Sequence, residues 1–247
     1  MDSRYWAFIS GSSQRIGASM ARHLHDLGYN IALHYFSSAT AATALAQELN
    51  QQRADSVKLY CADLSDINSI NLLIAELQQD KLAFKVLINN ASQFYPTAWD
   101  TFDAEKAQQL LQVNMLTPCM LASALHSALA QHQGCIVNLI DIHGERPLKG
   151  HGLYSMTKAG LHMATLSMAQ EFAPEIRVNG IAPGAILWPE HSLTEAQQQV
   201  LAEIPMGRTG ALDDINQALT FLLNSPYITG QIIAVDGGRS ATGYRGA

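Results

Sequence analysis

Tyr154 and Lys158, in the stretch GLYSMTKAGL, stand four residues apart and are able to do acid–base chemistry together. Residues at this spacing share one face of a helix, so the phenol and the ammonium are predicted to lie side by side. A nearby ammonium favours the phenolate and lowers the pKa of a tyrosine, which would suit Tyr154 to proton transfer near neutral pH. The same spacing arises by chance on helix surfaces, so its meaning depends on the elements around it.

Strand-like and helix-like segments alternate along the chain. Continuous aliphatic and β-branched runs, typical of buried parallel strands, lie at 5–10, 30–36, 56–62, 85–91, 135–141, 176–182 and 231–236. Helical patterns lie at 15–27, 38–51, 66–79, 103–132, 153–173 and 211–224. The alternation predicts an α/β fold of one domain over residues 1–247: a doubly wound, Rossmann-type sheet of seven parallel strands with helices on both faces. Only 185–210 breaks the pattern, and we expect it to be an insertion that covers a site.

A glycine-bounded turn, GSSQRIG over residues 11–17, joins the first strand to the first helix. Such a helix N-terminus binds anions, so Gly11 and Gly17 indicate a dinucleotide pyrophosphate, although a glycine pair here is also a plain tight turn. Arg15 lies inside the loop, where its guanidinium can pair with phosphate and offer planar donors to a neighbouring heterocycle. Arginine tolerates positive φ poorly, so position 15 is predicted to need none. The alternative is an arginine that points into water.

The end of the second strand carries hydroxyls and no carboxylate, in the run His34, Tyr35, Phe36, Ser37 and Ser38. An acid at this place accepts the ribose hydroxyls of NAD and repels a 2′-phosphate. Its absence, with two serines at a helix start and a cation in the neighbouring loop, favours NADP(H). Ser38 alternatively caps its helix, and it can do both.

Asp63 follows the third strand at the same edge of the predicted sheet. Its carboxylate is placed to accept a hydrogen bond from the adenine amino group. A surface acid at the start of a helix explains the spacing equally well, and Ser65 with Asp66 supplies the cap signal of that helix.

Composition excludes several classes of protein. A formal net charge of -6 leaves no basic stripe for nucleic acid. Three cysteines, Cys61, Cys119 and Cys135, are scattered without metal-ligand spacing, which predicts reduced thiols and no metal site. We find no signal peptide and no run of about 20 apolar residues, so we expect a cytoplasmic protein that does not enter a membrane.

Together these motifs resemble the short-chain dehydrogenase/reductase family over nearly the whole chain. The resemblance is carried by Gly11 to Gly17, Asp63, Asn89 to Ser92, Asn114, Tyr154, Lys158, Pro183 and Gly184. It implies an oxidoreductase in which Tyr154 donates a proton, Lys158 lowers its pKa and holds the nicotinamide ribose, and Asn114 anchors a water-linked relay. It also implies that NADPH is bound by Gly11, Arg15, Ile16, Gly17, His34, Tyr35, Ser37, Ser38, Asp63, Leu64, Asn90, Ala91, Ser92, Lys158, Pro183 and Gly184. From the residues alone, Asn114 is also readable as a helix-kink residue and Pro183–Gly184 as an ordinary turn.

Asp141 stands thirteen residues before Tyr154, where most members of that family carry a serine that donates to a substrate carbonyl. Hydride addition to a ketone creates an oxyanion, which a carboxylate ~4 Å away would oppose by about 4 kcal/mol at an effective dielectric near 20. Hydride addition to a C=N bond needs a proton on nitrogen, and a carboxylate stabilises the resulting cation or relays that proton. Asp141 therefore favours an imine or heteroaromatic reductase. The alternative is a protonated Asp141 that replaces the serine as donor.

Phe94 follows the fourth strand, where an aromatic ring can stack on a flat substrate, although aromatics usually belong to the core. With Arg15 and Asp141, it resembles the pteridine reductase branch of the family. The resemblance implies NADPH-dependent reduction of a dihydropterin in a homotetramer, and substrate contacts from Arg15, Ser92, Phe94, Asp141, Tyr154 and Trp188. Many members of that branch have an arginine where this chain has Ser37, so its 2′-phosphate contact is expected to differ.

Two other functions stay open from the sequence. One is a carbonyl reductase of the 3-oxoacyl or sugar type, and the other is a non-catalytic NADP(H) sensor, which would have no need of Tyr154 as a proton donor. The subunit contacts of a tetramer would fall on the apolar stripes of the long helices, at Met115, Met120, Leu161 and Met163, which are equally readable as core.

Overall fold

Seven parallel strands form one sheet in the computed structural model, which describes residues 5–188 and 194–241. The strands are β1 Trp6–Ile9, β2 Asn30–Tyr35, β3 Val57–Cys61, β4 Phe84–Asn89, β5 Cys135–Leu139, β6 Arg177–Pro183 and β7 Ile232–Val235. Their order is β3-β2-β1-β4-β5-β6-β7. All seven predicted strands are present, and the predicted doubly wound α/β fold is confirmed.

Eight α-helices accompany the strands in the described part of the chain. They are α1 Arg15–Asp26, α2 Ala39–Gln52, α3 Ile67–Gln79, α4 Ala104–Leu111, α5 Thr117–Ala130, α6 Gly152–Glu171, α7 Thr194–Glu203 and α8 Leu212–Asn224. A π-helical segment, Gln112–Leu116, joins α4 to α5, and a 3₁₀ turn, Ile142–Gly144, precedes α6. The predicted helix over 103–132 is thus one rod with a π-bulge inside it.

Both faces of the sheet are buried, because alternate strand residues enter two separate cores. Ala7 and Ile9 pack with α1, α2 and α8 on one face. Phe8, between them, packs with α3, α5 and α6 on the other. Successive strand side chains point to opposite faces, so a strand covered on both sides reads as a continuous apolar run.

The predicted insertion over 185–210 contains α7, which the sequence pattern did not reveal. Its ends meet where Gly210 N–H donates to the Ala185 carbonyl oxygen at 3.0 Å. Residues 189–193 lie outside the described part. The prediction of a single domain over 1–247 stays a prediction.

The rod Ala104–Ala130 is long and apolar enough to cross a membrane by length and composition alone, with a mean hydropathy of 1.2 over its most apolar window. Val113, Leu121, Leu125 and Leu129 of this rod lie in the core beneath the sheet. Packing against the sheet therefore accounts for these four apolar residues.

The order in which strands are added reverses at the centre of the sheet. From β1 the chain adds β2 and then β3 on one side, and β4 starts the other side next to β1. Ligands of open parallel sheets bind at the carboxyl ends of the strands where the order reverses. The segments that leave β1 and β4 therefore form the walls of the expected site.

Candidate active site

A crevice of about 380 Å³ opens at the carboxyl ends of β1, β2 and β4. It brings together thirteen of the sixteen residues predicted to bind the cofactor: Gly11, Arg15, Ile16, Gly17, His34, Tyr35, Ser37, Ser38, Asp63, Leu64, Asn90, Ala91 and Ser92. The other three lie further along the same edge: the ammonium of Lys158, on α6, reaches the end of β5, while Pro183 ends β6 and Gly184 follows it.

Gly11 and Gly17 lie where any side chain would collide with the backbone around the crevice. Gly11 has φ +63°, and a Cβ there would lie 3.0 Å from the Cα of Ala91. A Cβ on Gly17 would lie 2.2 Å from the Gly11 carbonyl oxygen and 2.7 Å from Nδ2 of Asn90. That amide donates to the carbonyl oxygens of Ser10 and Gly11, so it locks the first loop onto the second. The loop backbone is therefore open to a large anion.

Arg15 adopts φ +52°, so the prediction that this position needs no positive φ was wrong. The left-handed conformation costs an L-residue roughly 1–2 kcal/mol. The exposed guanidinium reaches across the crevice mouth, where its Nη2 contacts the carbonyl oxygens of Leu187 at 3.5 Å and Trp188 at 3.4 Å. Arg15 thus lies between the glycine loop and the start of the 185–210 segment, and does not simply point into water.

Serine hydroxyls gather where α2 begins. Ser38 is the N-cap residue, yet its side chain makes no cap hydrogen bond and instead accepts from Ser13 Oγ at 3.2 Å. The hydroxyl of Ser38 therefore does not cap its helix, and the helix start faces the crevice together with Ser13 and Ser37. Anions are favoured at such a helix start.

Asp63 builds the turn between β3 and α3. Its Oδ1 accepts from Ser65 N at 2.8 Å and from Ser65 Oγ at 2.7 Å, while Asp66 caps α3. Asp63 lines the crevice and is not the helix cap.

His34 is buried and both of its ring nitrogens bind the protein. Nδ1 accepts from the Gly11 N–H at 2.9 Å, so Nε2 carries the proton and donates to the Ala62 carbonyl oxygen at 3.1 Å. Burial lowers the pKa of His34 to about 4. The predicted role of His34 in cofactor binding is therefore indirect, because its nitrogens hold the glycine loop in place.

We expect His34 to make folding sensitive to acid. Its pKa is about 4 in the folded chain and 6.5 in its ordinary state, so the unfolded chain binds more protons between these values. This group alone then lowers the free energy of unfolding by about 3 kcal/mol as the pH falls from about 6.5 to 4. Denaturant unfolding across this range checks it, with H34Q expected to have a flatter pH dependence. Equal slopes for the two proteins would contradict the assignment.

Tyr154 and Asp141 meet at the carboxyl end of β5. The phenol O–H donates to Asp141 Oδ2 at 2.7 Å, while Oδ1 accepts from His143 N at 2.9 Å. Lys158, which is 2% exposed, donates to the Leu139 carbonyl oxygen at 2.9 Å, and its Nζ lies 5.7 Å from the centre of the Tyr154 ring.

The prediction that Lys158 brings the pKa of Tyr154 toward neutrality is wrong for this arrangement. Burial and the neighbouring Asp141 carboxylate raise the pKa of Tyr154 well above its usual value, and the phenol is a neutral donor. Burial also lowers the pKa of Lys158 to about 8, although Asp141 opposes this. The dominant charge beside Tyr154 is the carboxylate, which reverses the expected direction.

Asn114 lies in the π-helical segment, fully buried, and its side-chain amide joins three parts of the chain. Its Oδ1 accepts from Ser92 Oγ at 3.2 Å and from Gln93 N at 2.8 Å. Its Nδ2 donates to the Gln93 carbonyl oxygen at 3.0 Å and to Thr157 Oγ1 at 3.1 Å. The amide is fully used within the protein, so it positions the segment after β4 against α6 and cannot also bind a relay water through the side chain.

Phe94 is 52% exposed and lies beside the catalytic tyrosine candidate. Its ring meets the Tyr154 ring edge to face at 4.8 Å and stacks on His151 at 4.5 Å, with 10° between the planes. It is therefore a surface aromatic at the site and not a core residue.

The remaining predicted residues lie at the end of β6 and in the segment that follows it. A Cβ on Gly184 would lie 2.7 Å from the Cβ of Asp236, so glycine is needed for close packing after Pro183. Trp188 is half-buried and contacts Arg15 through its carbonyl oxygen. Glu190 and His191, which follow Trp188 in the predicted insertion, lie outside the described residues.

Sequence reasoning missed several residues of the site. Ser13 and Gln14 line the crevice, and their place inside the glycine-bounded turn was a sufficient signal. Thr157 donates to the Tyr154 carbonyl oxygen at 2.7 Å and lies between Tyr154 and Lys158 in the sequence. Nothing in the sequence pattern indicated the stack of His151 on Phe94.

Comparison with known proteins gives one family. A family model described as enoyl-(acyl carrier protein) reductase matches residues 11–240. The chain is 31% identical to pteridine reductase 1 of Leishmania tarentolae, with 96% of each chain covered. It is 34% identical to the uncharacterized oxidoreductase YmfI of Bacillus subtilis and 32% identical to the 3-oxoacyl-[acyl-carrier-protein] reductase FabG of Staphylococcus aureus, with 94% of this chain and 96–97% of theirs covered. The chain belongs to the short-chain dehydrogenase/reductase family, and it is an oxidoreductase that uses a nicotinamide cofactor.

Proposed function

We propose that this protein is an NADPH-dependent pteridine reductase, which adds hydride to the C=N bond of a dihydropterin to give the tetrahydropterin. The observation that carries the proposal is the Asp141 carboxylate, hydrogen-bonded to Tyr154 at 2.7 Å. A carboxylate at this place disfavours an oxyanion and favours a protonated nitrogen. The similarity to a pteridine reductase supports the proposal, while the similar identity to a 3-oxoacyl reductase keeps carbonyl reduction as the alternative.

The residues of this chain supply the proton. NADPH, when bound, supplies the hydride that the C6 carbon receives. The Tyr154 hydroxyl, hydrogen-bonded to Asp141 Oδ2, donates the proton that N5 receives, and Lys158 then stabilises the phenolate that remains. Phe94 offers a flat ring beside Tyr154 for the heterocycle.

The crevice residues fit NADPH. The gaps at Gly11 and Gly17 leave backbone accessible to the pyrophosphate, as a Cβ at either place would not. The serine hydroxyls at the start of α2, with no carboxylate among them, favour a 2′-phosphate over a free ribose, and Arg15 adds a cation at the same crevice. These features support a 2′-phosphate site that does without an arginine at position 37.

Arg15 gives a prediction that separates backbone strain from binding. We expect R15A to lower the affinity for NADPH by about 10-fold or more, because a charge-assisted hydrogen bond is worth about 1.5–3 kcal/mol. R15G loses the same guanidinium, but glycine adopts the positive φ without strain. Its free energy of unfolding should therefore be roughly 1 kcal/mol larger than that of R15A. Fluorescence titration with NADPH and urea unfolding measure the two effects. Wild-type affinity in both variants would contradict the role of Arg15.

Isotope transfer tests the proposed reaction. We expect NADPH deuterated at nicotinamide C4 to deliver deuterium to C6 of a 7,8-dihydropterin, identified by NMR of the tetrahydropterin product. Deuterium delivered only to the carbinol carbon of a 3-oxoacyl thioester would instead favour the carbonyl reductase.

We also propose that the protein works in the cytoplasm as a homotetramer. All three cysteines are free, which suits a reducing compartment. Of the residues named for subunit contacts, Leu161 is buried and Met120 packs against the core. Met163 is 64% exposed and shares a face of α6 with Met156 and Leu166, which are also exposed. This face is the one that suits a subunit contact.

A further inference from the structure

His151 lies at the N-cap of α6, three residues before Tyr154, and its backbone is held from several sides. Its N–H donates to the Leu148 carbonyl oxygen and its own carbonyl oxygen accepts from Ser155 N, both at 3.0 Å. It pairs as an isolated β-bridge with Thr97, whose N–H donates to the Gly150 carbonyl oxygen at 2.7 Å. The backbone of His151 is thus fixed, and its ring nitrogen Nδ1 lies 3.3 Å from the Lys149 carbonyl oxygen.

The segment that carries Phe94 is fastened to the same point of the chain. Thr97 Oγ1 accepts from Leu153 N at 3.2 Å. Trp99 packs so closely on Gly152 that a Cβ there would lie 2.6 Å from the indole ring. Two segments, one after β4 and one before α6, therefore meet with Phe94 and His151 in parallel contact.

The stack constrains a ring that is otherwise exposed. Phe94 has half of its surface in solvent, and an exposed aromatic side chain is free to change rotamer. The imidazole covers one face of Phe94, and Tyr154 meets the same ring at 86°. The plane of Phe94 is thereby held beside the Tyr154 ring before any substrate arrives, and such preorganisation lowers the free-energy cost of binding a flat ligand.

We infer that His151 is a positioning residue for the substrate, because its imidazole holds Phe94 as a platform for a flat heteroaromatic ring. The inference rests on the proposed function. The interaction that matters here is the stack between two aromatic rings. Phenylalanine at position 151 should therefore preserve the function of His151, and alanine should not.

The test measures H151A and H151F against the wild type. For H151A we expect KM for the dihydropterin to rise about 3- to 10-fold, with kcat within about twofold and NADPH affinity unchanged. H151F should restore KM to within about twofold of the wild type, which a merely disrupted fold would not allow. Pterin fluorescence measures the binding of an oxidised pterin to the NADP-loaded protein. This binding should be weaker in H151A than in the wild type, and unchanged in H151F.

The outcomes separate this inference from the proposed function. Wild-type pterin turnover with an unchanged pterin KM in H151A overturns the role of His151 and leaves the function standing. H151F as weak as H151A also overturns it, because the imidazole would then act by hydrogen bonding or charge. A wild-type protein that neither binds nor reduces any pterin overturns both.

Discussion

Replacement of Asp141 by alanine is expected to lower kcat/KM for dihydropterin reduction by about 10²- to 10⁴-fold, the usual range for loss of a general acid–base group. Asp141 accepts a hydrogen bond from the Tyr154 hydroxyl at 2.7 Å. Alanine therefore removes both the partner that orients the phenol and the charge that favours a protonated nitrogen. NADPH affinity should stay within about twofold, because Asp141 lies at the end of β5, outside the residues that line the cofactor crevice.

Two further variants at this position identify what the carboxylate contributes. D141N keeps the size of the side chain and loses its charge, so it should remain as impaired in pterin reduction as D141A. D141S supplies the hydroxyl that the family usually carries and is expected to gain reduction of a 3-oxoacyl thioester. Pterin turnover by D141A at the wild-type rate would refute the role given to Asp141.

Gly17→Ala is expected to have the second-largest effect. The new Cβ would lie 2.2 Å from the Gly11 carbonyl oxygen, a backbone atom that cannot move without opening the glycine loop. Overpacking of this kind costs about 1–3 kcal/mol, and here the displaced atoms belong to the loop that we propose binds the pyrophosphate. We therefore expect NADPH affinity to fall by roughly 10- to 100-fold, together with a loss of unfolding free energy of about 1–3 kcal/mol.

A matched control is Gly230→Ala, at the opposite end of the strands. Gly230 has φ +71° and its Cβ would meet only the Ala169 side chain at 3.5 Å, so the variant tests a glycine replacement away from the crevice. It should lose stability by roughly 1–2 kcal/mol and keep the wild-type affinity for NADPH. Titration and urea unfolding of both variants measure these effects. Equal NADPH affinity in G17A and G230A would contradict the assignment of the glycine loop.

The fold was predictable because both faces of its sheet are covered. Strands such as Ile31 to Leu33 alternate between two cores, so they appear in the sequence as unbroken apolar runs. The glycines of the glycine loop were also predictable, since their spacing follows from a backbone that must pack closely. Helix α7 was not predictable, because it lies in a mixed-polarity segment away from the regular alternation.

The electrostatics of the site could not be predicted from spacing. The distance between Tyr154 and Lys158 along the chain suggested a lowered pKa for the tyrosine, but burial and the contact with Asp141 raise it. Both effects depend on three-dimensional neighbours. The positive φ of Arg15 is similar, because sequence preference argues against it and only the loop geometry imposes it.

The measurement that tests the proposed activity most directly is NADPH oxidation by the purified protein against dihydromonapterin, dihydrobiopterin, dihydrofolate and an acetoacetyl thioester in parallel. We expect at least one dihydropterin or dihydrofolate to be reduced with a kcat/KM well above that for the thioester, and NADH to be a poor substitute for NADPH. Turnover of the thioester with no turnover of any pterin would contradict the proposed function.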